Sequence, residues 1–246
     1  MKYYIKFSLF MIVLLVIWEL LVRGLHVDAY TLPAPSAIFH EFFTGFNDYR
    51  VHLIPTILLV LAGIIISVVV GVLVAVLLHL VTVLEPFIYP LLIMSQNIPV
   101  IVIAPLLVIW FGFGLLPKLL VITLICFFPI TVSLLEGFKA ADEDLIKYMK
   151  ISGATKMQLF TKLEWPNAMP YLFNGLRIAG TYSVMGAIIS EWLGSDKGLG
   201  KYMIISQRAF QVDKVFVAIV WIILFALIIY SVIQLLERKV VKWHRD

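Results

Sequence analysis

Long apolar runs separated by short polar stretches dominate this sequence. Six runs are about as long as an α-helix needs to be to cross the hydrocarbon core of a bilayer. They cover residues 7–22, 53–80, 86–111, 115–137, 171–193 and 215–236. Such runs are typical of helices that face lipid or other apolar helices. The pattern predicts an all-α integral membrane protein with six transmembrane helices.

Composition supports this class. Of the 246 residues, 62% are hydrophobic and 14% are charged, and the mean hydropathy is +1.04. Soluble domains average about 45–50% apolar and about 25% charged residues. The single cysteine, Cys126, lies inside an apolar run, which excludes a disulfide framework and a cysteine-based metal site. No basic stripe with interleaved aromatic residues occurs between the runs, so nucleic-acid binding is not predicted.

The first run follows Lys2 and Lys6 and could be a signal peptide, but no small-x-small cleavage site comes after it. We interpret it as an uncleaved first span. Glu19 within it should face the bundle or the outer interface and pair with Arg23, four residues later. In the polar segment that follows, Ser36 is the expected N-cap of a short helix.

The third run is interrupted by Gln96-Asn97-Ile98-Pro99. Two amides and a proline at membrane depth are tolerated where the backbone is buried or lines a cavity. Gln96, Asn97 and Pro99 are therefore candidates for the wall of a substrate path. The alternative is a proline kink whose amides bond to neighbouring helices. Glu191, at the end of the fifth run, is either a further substrate contact or an interfacial acid beside Trp192.

The polar stretch 139–170 is patterned as two short helices. Apolar residues recur three or four positions apart, at Leu145, Met149, Met157, Phe160 and Leu163. Gly153 can adopt the left-handed conformation that ends a helix. Thr155 and Gln158 have the spacing of a capping box that starts another.

Pro166 and Pro170 are expected to stop that second helix before the fifth span begins. The stretch thus predicts a helix-turn-helix docking element across a membrane surface. The alternative is a solvated amphipathic loop.

This stretch also resembles a known family. Gly153, nine residues and then Leu163-Glu164-Trp165-Pro166 resemble the G-x9-I-x-L-P core of the "EAA" loop. That loop marks the permease subunits of binding-protein-dependent ABC importers, which have the MetI-like type I fold. The segments 32–36 and 105–114 resemble the same family. The sequence departs from it at the Glu-Ala-Ala positions, which are Lys147-Tyr148-Met149 here.

The resemblance implies that the loop docks on a separate cytoplasmic ATPase. The candidate coupling residues are Asp142, Glu143, Leu145, Lys147, Met149, Gly153, Ala154, Phe160, Leu163 and Pro166. The sequence contains no G-x-x-x-x-G-K-[ST] loop, so ATP is expected on the partner subunit and this chain is expected to be no enzyme. The five histidines have no metal-ligand spacing, and no metal or cofactor is predicted. An external binding protein and a second permease copy, giving a homodimer, are the other implied partners.

Lysines and arginines predict the orientation. Eleven lie in the termini and the 139–170 loop, whereas seven lie in the alternate connections. The positive-inside rule then places that loop and both termini in the cytoplasm of a prokaryotic cell. The predicted domains are an N-terminal helix with external loop (1–52), the type-1 transmembrane domain (53–237) and a basic tail (238–246).

We therefore expect an importer permease that works by alternating access. The resemblance points to the subgroup that transports alkanesulfonates, taurine, nitrate and thiamine-pyrimidine precursors, and residues 180–187 and 190–194 favour the last. Few charges in the spans favour a small neutral or singly charged solute. One alternative is the coupling subunit of a vitamin importer without binding protein, although its Ala-Arg-Gly signatures are missing. Another is an ion-coupled secondary transporter, which should have paired repeats with ionisable midplane residues.

Overall fold

A computed structural model describes residues 2–242, and these residues form helices and no strand. The helices are α1 (Lys2–Gly24), α2 (Pro35–Thr44), α3 (Phe46–Leu80), α4 (Glu85–Gln96), α5 (Val100–Phe111), α6 (Leu115–Lys139), α7 (Glu143–Ile151), α8 (Lys156–Leu159), α9 (Trp165–Trp192), α10 (Leu199–Arg208) and α11 (Val212–Val240). A π turn (Phe160–Glu164) joins α8 to α9. Arg245 and His244 of the basic tail lie outside the described residues.

Five of these helical segments are long and apolar enough to cross a membrane: α1, α3, α6, α11 and the continuous stretch from α8 through α9. The pair α4 and α5 would make a sixth span and is bent by 101°. The break falls between Gln96 and Val100 because Pro99 has no N–H and disfavours helical geometry at Ile98. The predicted six spans and the interrupted third span agree with this architecture.

Helix α6 lies at the centre of the bundle, packed between α3 and α9. Two glycines allow the close approach. A Cβ on Gly71 would lie 2.9 Å from the carbonyl oxygen of Phe127, and one on Gly175 would lie 2.7 Å from that of Pro129. The Thr131 hydroxyl also donates to the Gly71 carbonyl at 3.1 Å. Small residues and interhelical hydrogen bonds of this kind are what hold helices together in lipid.

Helix α1 is peripheral and almost wholly exposed, but contacts of Glu19 hold its C-terminal end against the start of α2. The Glu19 carboxylate accepts from Nε of Arg23 at 2.5 Å, which confirms the predicted pair. It also accepts from the backbone N–H and the hydroxyl of Ser36, at 3.0 and 2.7 Å. The expectation that Ser36 caps α2 is wrong: Ala34 is the N-cap and Pro35 opens the helix. A proline is tolerated there because the first helical N–H has no partner within the helix.

The prediction that Pro166 and Pro170 end a second loop helix is also wrong. Helix α8 runs through the π turn directly into α9, with Pro166 in the first turn of α9 and Pro170 inside the helix. The π turn lies immediately before Pro166, which cannot donate a backbone hydrogen bond. A π turn of this kind accommodates such an interruption without stopping the helix. The fifth span therefore continues directly from the second helix of the loop.

Candidate functional site

The polar stretch between α6 and α9 has the predicted helix-turn-helix geometry. Asp142 caps α7, and its carboxylate accepts from the backbone N–H groups of Asp144 and Leu145 at 2.8 and 3.3 Å. Gly153 has a φ of +82°, in the left-handed region. The capping box is complete, because Gln158 N–H donates to Thr155 Oγ1 at 3.3 Å and Thr155 N–H donates to Gln158 Oε1 at 2.8 Å.

Four apolar side chains of this element are exposed: Leu145, Tyr148, Ile151 and Met157. We call them the α7–α8 apolar face. Ile151 is 87% exposed and Tyr148 is 69% exposed, although neither belongs to a span. Several large apolar side chains exposed on one short element mark a candidate interaction site. Of the charged candidates, Lys147 pairs with Asp144 and Glu143 on the surface of α7.

Other predicted coupling residues lie against the bundle. Phe160 is half-buried, 5.5 Å between ring centroids from Phe138, and His79 stacks on Phe138 at 4.5 Å. His79 Nε2 lies 2.8 Å from a carboxylate oxygen of Glu164. Phe160 thus anchors the element to the bundle. Met149, Ala154, Leu163 and Pro166 are likewise half-buried.

Sequence reasoning missed the contact between His79 and Glu164. It considered the histidines only for metal-ligand spacing. These two residues are 85 positions apart, so no local pattern connects them. Only the packing of α3 against the start of α9 brings them together.

A cleft of about 560 Å³ lies beside α6. The break between α4 and α5, one face of α6 and one face of α9 line it. The lining residues are Ser95, Gln96, Ile98, Val100, Leu124, Ile125, Phe128, Pro129, Val132, Ser133, Glu136, Asn174, Ile178 and Tyr182. Of the three predicted wall residues, Gln96 lines the cleft and Asn97 and Pro99 do not. The Asn97 amide instead donates to the Ile93 carbonyl, at 3.1 Å.

Glu191 lies outside the cleft, in a buried network where α3, α9 and α10 meet. It is 2% exposed and accepts from the Thr56 hydroxyl and the Gly200 N–H, each at 2.7 Å. Thr56 Oγ1 in turn accepts from Leu199 N–H at 2.8 Å. The carboxylate therefore joins three helices at the end of the bundle opposite α7.

Comparison with known proteins decides the family. Residues 67–242 match the family described as "Binding-protein-dependent transport system inner membrane component". The chain belongs to this family of ABC permeases.

Curated relatives match nearly the whole permease, and two of them illustrate the similarity. The formylaminopyrimidine transport permease protein ThiX of Halalkalibacterium halodurans is 35% identical over 239 residues, which is 97% of this chain and 95% of the relative. The riboflavin transport system permease protein RibX of Chloroflexus aurantiacus is 36% identical over 235 residues, 95% and 88% of the two chains. Among solved structures, the MetNI methionine ABC transporter in an inward-facing conformation matches with a TM-score of 0.60 and 22% identity. That match covers 76% of this chain and 92% of the other, and it shows the fold.

The permease is thus a multi-pass membrane subunit of an ABC importer, a transport protein and not an enzyme. The family and the MetI-like fold predicted from the loop and the spans are confirmed. Family membership implies an ATPase partner, a substrate-binding partner and a paired permease. It does not support the two alternatives, a vitamin-importer coupling subunit and an ion-coupled secondary transporter.

Proposed function

We propose that two copies of this permease form the membrane pathway of an importer, with α7 and α8 docked on a cytoplasmic ATPase. The observation that carries the proposal is the α7–α8 apolar face. The excess of lysine and arginine in the 139–170 loop and the termini supports a cytoplasmic position for this end of the bundle. A binding protein would then deliver solute at the opposite, α10 end.

The exposed side chains favour docking over simple solvation. Ile151 and Tyr148 leave most of their surface in water, and burying a large apolar side chain is worth about 1.5–3 kcal/mol. A rigid turn at Gly153 and the Thr155 cap hold α7 and α8 in one geometry, so movement of an attached ATPase is transmitted. The aromatic contacts of Phe160 and the contact between His79 and Glu164 connect this element to α3, α6 and α9.

The cleft supports a transport path along α6. Its wall combines polar groups, such as Gln96, Asn174 and Tyr182, with apolar ones. The cleft ends near the α7–α8 element, which an attached ATPase would move during its ATP cycle. A second copy beside this wall would complete the path, and alternating access would follow from relative movement of the two bundles.

For the substrate we propose a small heteroaromatic solute such as formylaminopyrimidine. The two relatives at 35% and 36% identity are named for heteroaromatic solutes, whereas the taurine permease TauC of Escherichia coli, which covers 95% of this chain, is 26% identical. Residues 180–187 and 190–194 favour the same choice. An alkanesulfonate, taurine or nitrate is the second candidate, because the sequence also resembles permeases for those solutes.

Affinity purification of the tagged permease from its native membrane in mild detergent tests the docking. We expect an ATPase to co-purify with the wild-type chain and to be lost with Ile151→Glu, which places a charge on the α7–α8 apolar face. The matched control is Thr82→Glu, which adds the same carboxylate at an exposed turn between α3 and α4. Equal recovery of the ATPase with Ile151→Glu and with wild type would contradict docking through this face.

Uptake measurements test the substrate. Cells that express the permease with its co-purified ATPase and binding protein are given labelled formylaminopyrimidine, an alkanesulfonate, taurine or nitrate. We expect uptake of the first solute only. Uptake of the sulfonate without the pyrimidine would reverse the order of the two candidates.

A further inference from the structure

The cleft has an unbalanced charge. Among its lining residues, Glu136 is the one acidic side chain, and none is lysine, arginine or histidine. The other polar groups of the wall are hydroxyls and amides, at Ser95, Gln96, Ser133 and Asn174, together with the phenol of Tyr182. A solute inside the cleft therefore meets hydrogen-bonding groups and one carboxylate.

Among residues 5–242, whose side chains the structure describes, no group neutralises that carboxylate. Glu136 is exposed, and its side chain makes no ion pair or hydrogen bond with any of these residues. The nearby basic groups are engaged elsewhere. Lys139 is ion-paired with Glu85 of α4, and Arg177 donates to Glu237 of α11 at 2.7 Å. The negative charge of Glu136 is thus directed at the contents of the cleft.

Glu136 also occupies one end of the cleft. It lies in the last turn of α6, twelve positions beyond Leu124, which lines the same wall. At 1.5 Å per residue the two positions are about 18 Å apart along the helix. A solute that leaves the cleft at the α7–α8 end therefore passes this carboxylate, and in a pair of permeases it passes two.

We infer that Glu136 is a specificity-determining residue that makes the cleft favour neutral or cationic solutes over anions. The inference rests on the proposed function, because it takes the cleft as the transport path. It narrows the substrate class: a neutral heteroaromatic solute fits the amide groups and the ring of Tyr182, whereas an alkanesulfonate or nitrate is repelled.

Thiol-labelling rates measure the charge of the cleft without any knowledge of the substrate. Val132→Cys places a thiol one helical turn from Glu136, at a Cβ separation of about 6 Å. Leu124→Cys places one about 18 Å away along α6. Each variant is reacted in detergent with a cationic and an anionic methanethiosulfonate reagent of similar size. The parent chain gives the background, because its single cysteine, Cys126, is buried.

The rate ratio of cationic to anionic reagent is the readout. In the Val132→Cys background we expect Glu136→Gln to lower this ratio by about three- to tenfold. Coulomb's law in water at about 6 Å gives about tenfold without screening and about threefold with screening at physiological salt. In the Leu124→Cys background the change should be small. Asp196→Asn, which removes an exposed carboxylate from the segment before α10, is the matched control and should change the ratio in neither background.

Salt provides a second measurement that needs no substitution at Glu136. Raising the ionic strength from about 0.01 to 1 M shortens the Debye length from about 30 to 3 Å. The ratio for the Val132→Cys variant should fall towards that of a free thiol. If that ratio is insensitive both to Glu136→Gln and to salt, the inference is overturned. ATPase co-purification is unaffected by that result, so failure here and failure of the proposed function are distinguishable.

Discussion

The network around Glu191 makes a sharp prediction about stability. Thr56→Val keeps the shape of the side chain and removes its hydroxyl. Glu191 Oε1 then loses its donor, and Leu199 N–H, which is fully buried, loses its acceptor. Leaving a buried polar group unsatisfied costs about 1–3 kcal/mol, so the two groups together should cost about 2–6 kcal/mol. For a chain of this size, at about 2–4 °C per kcal/mol, that corresponds to a fall in Tm of about 4–24 °C.

The assay is thermal unfolding of the purified permease in detergent, followed by circular dichroism. Thr56→Ser is the matched control, because it keeps the hydroxyl and removes only a methyl group, and it should lower Tm far less. Hydrogen exchange at Leu199 and Gly200 locates the effect, since α10 should open first in the valine variant. If Thr56→Val and Thr56→Ser lower Tm equally, the hydrogen bonds do not stabilise this end of the bundle and the reasoning is refuted.

Two further substitutions test other contacts. Gly175→Ala should destabilise the bundle by about 1–3 kcal/mol, because its Cβ would press on the backbone of Pro129, which cannot move aside. Gly180→Ala meets only side-chain methyl groups of Ile229 and Ile233 and should cost less. Thermal unfolding compares the two variants, and equal losses would contradict the close approach of α6 and α9. Thr155→Ala should destabilise the start of α8 by about 1 kcal/mol and weaken recovery of the ATPase, because the helix loses its N-cap. Thr155→Ser keeps the hydroxyl and should preserve both properties. Unchanged hydrogen exchange in α8 of the alanine variant would argue against the cap.

Local patterns predicted the features that depend on neighbours in the sequence. The apolar runs indicate spans because a bilayer requires about 20 apolar residues from any helix that crosses it. The left-handed turn at Gly153, the capping box at Thr155, the break before Pro99 and the pair Glu19–Arg23 all arise within a few residues. Each appears in the structure as expected.

The wrong predictions, the cap at Ser36 and the helix end at Pro166, both lie beside a proline, whose effect on a helix depends on its position. A proline stops a helix in its interior but opens one in its first turn, and the sequence around Pro166 and Pro35 does not distinguish these cases. The backbone around each decides, through the π turn before Pro166 and the engagement of Ser36 by Glu19. The sequence likewise did not determine which apolar residues of the loop face outward. In the structure Phe160 packs against Phe138, whereas Ile151 is exposed.

The sequence by itself therefore determined the membrane class, the positions of the long apolar helices, the family and the helix-turn-helix element. The tertiary structure alone decided which residues share a surface. His79 meets Glu164, and Thr56 meets Glu191, across 85 and 135 positions, because α3 and α9 pack at both ends of the bundle. The same packing turned Glu191 away from the cleft and left Glu136 on its wall. Burial and charge depend on neighbours in space, and a one-dimensional pattern in a nearly uniform apolar chain contains little information about them.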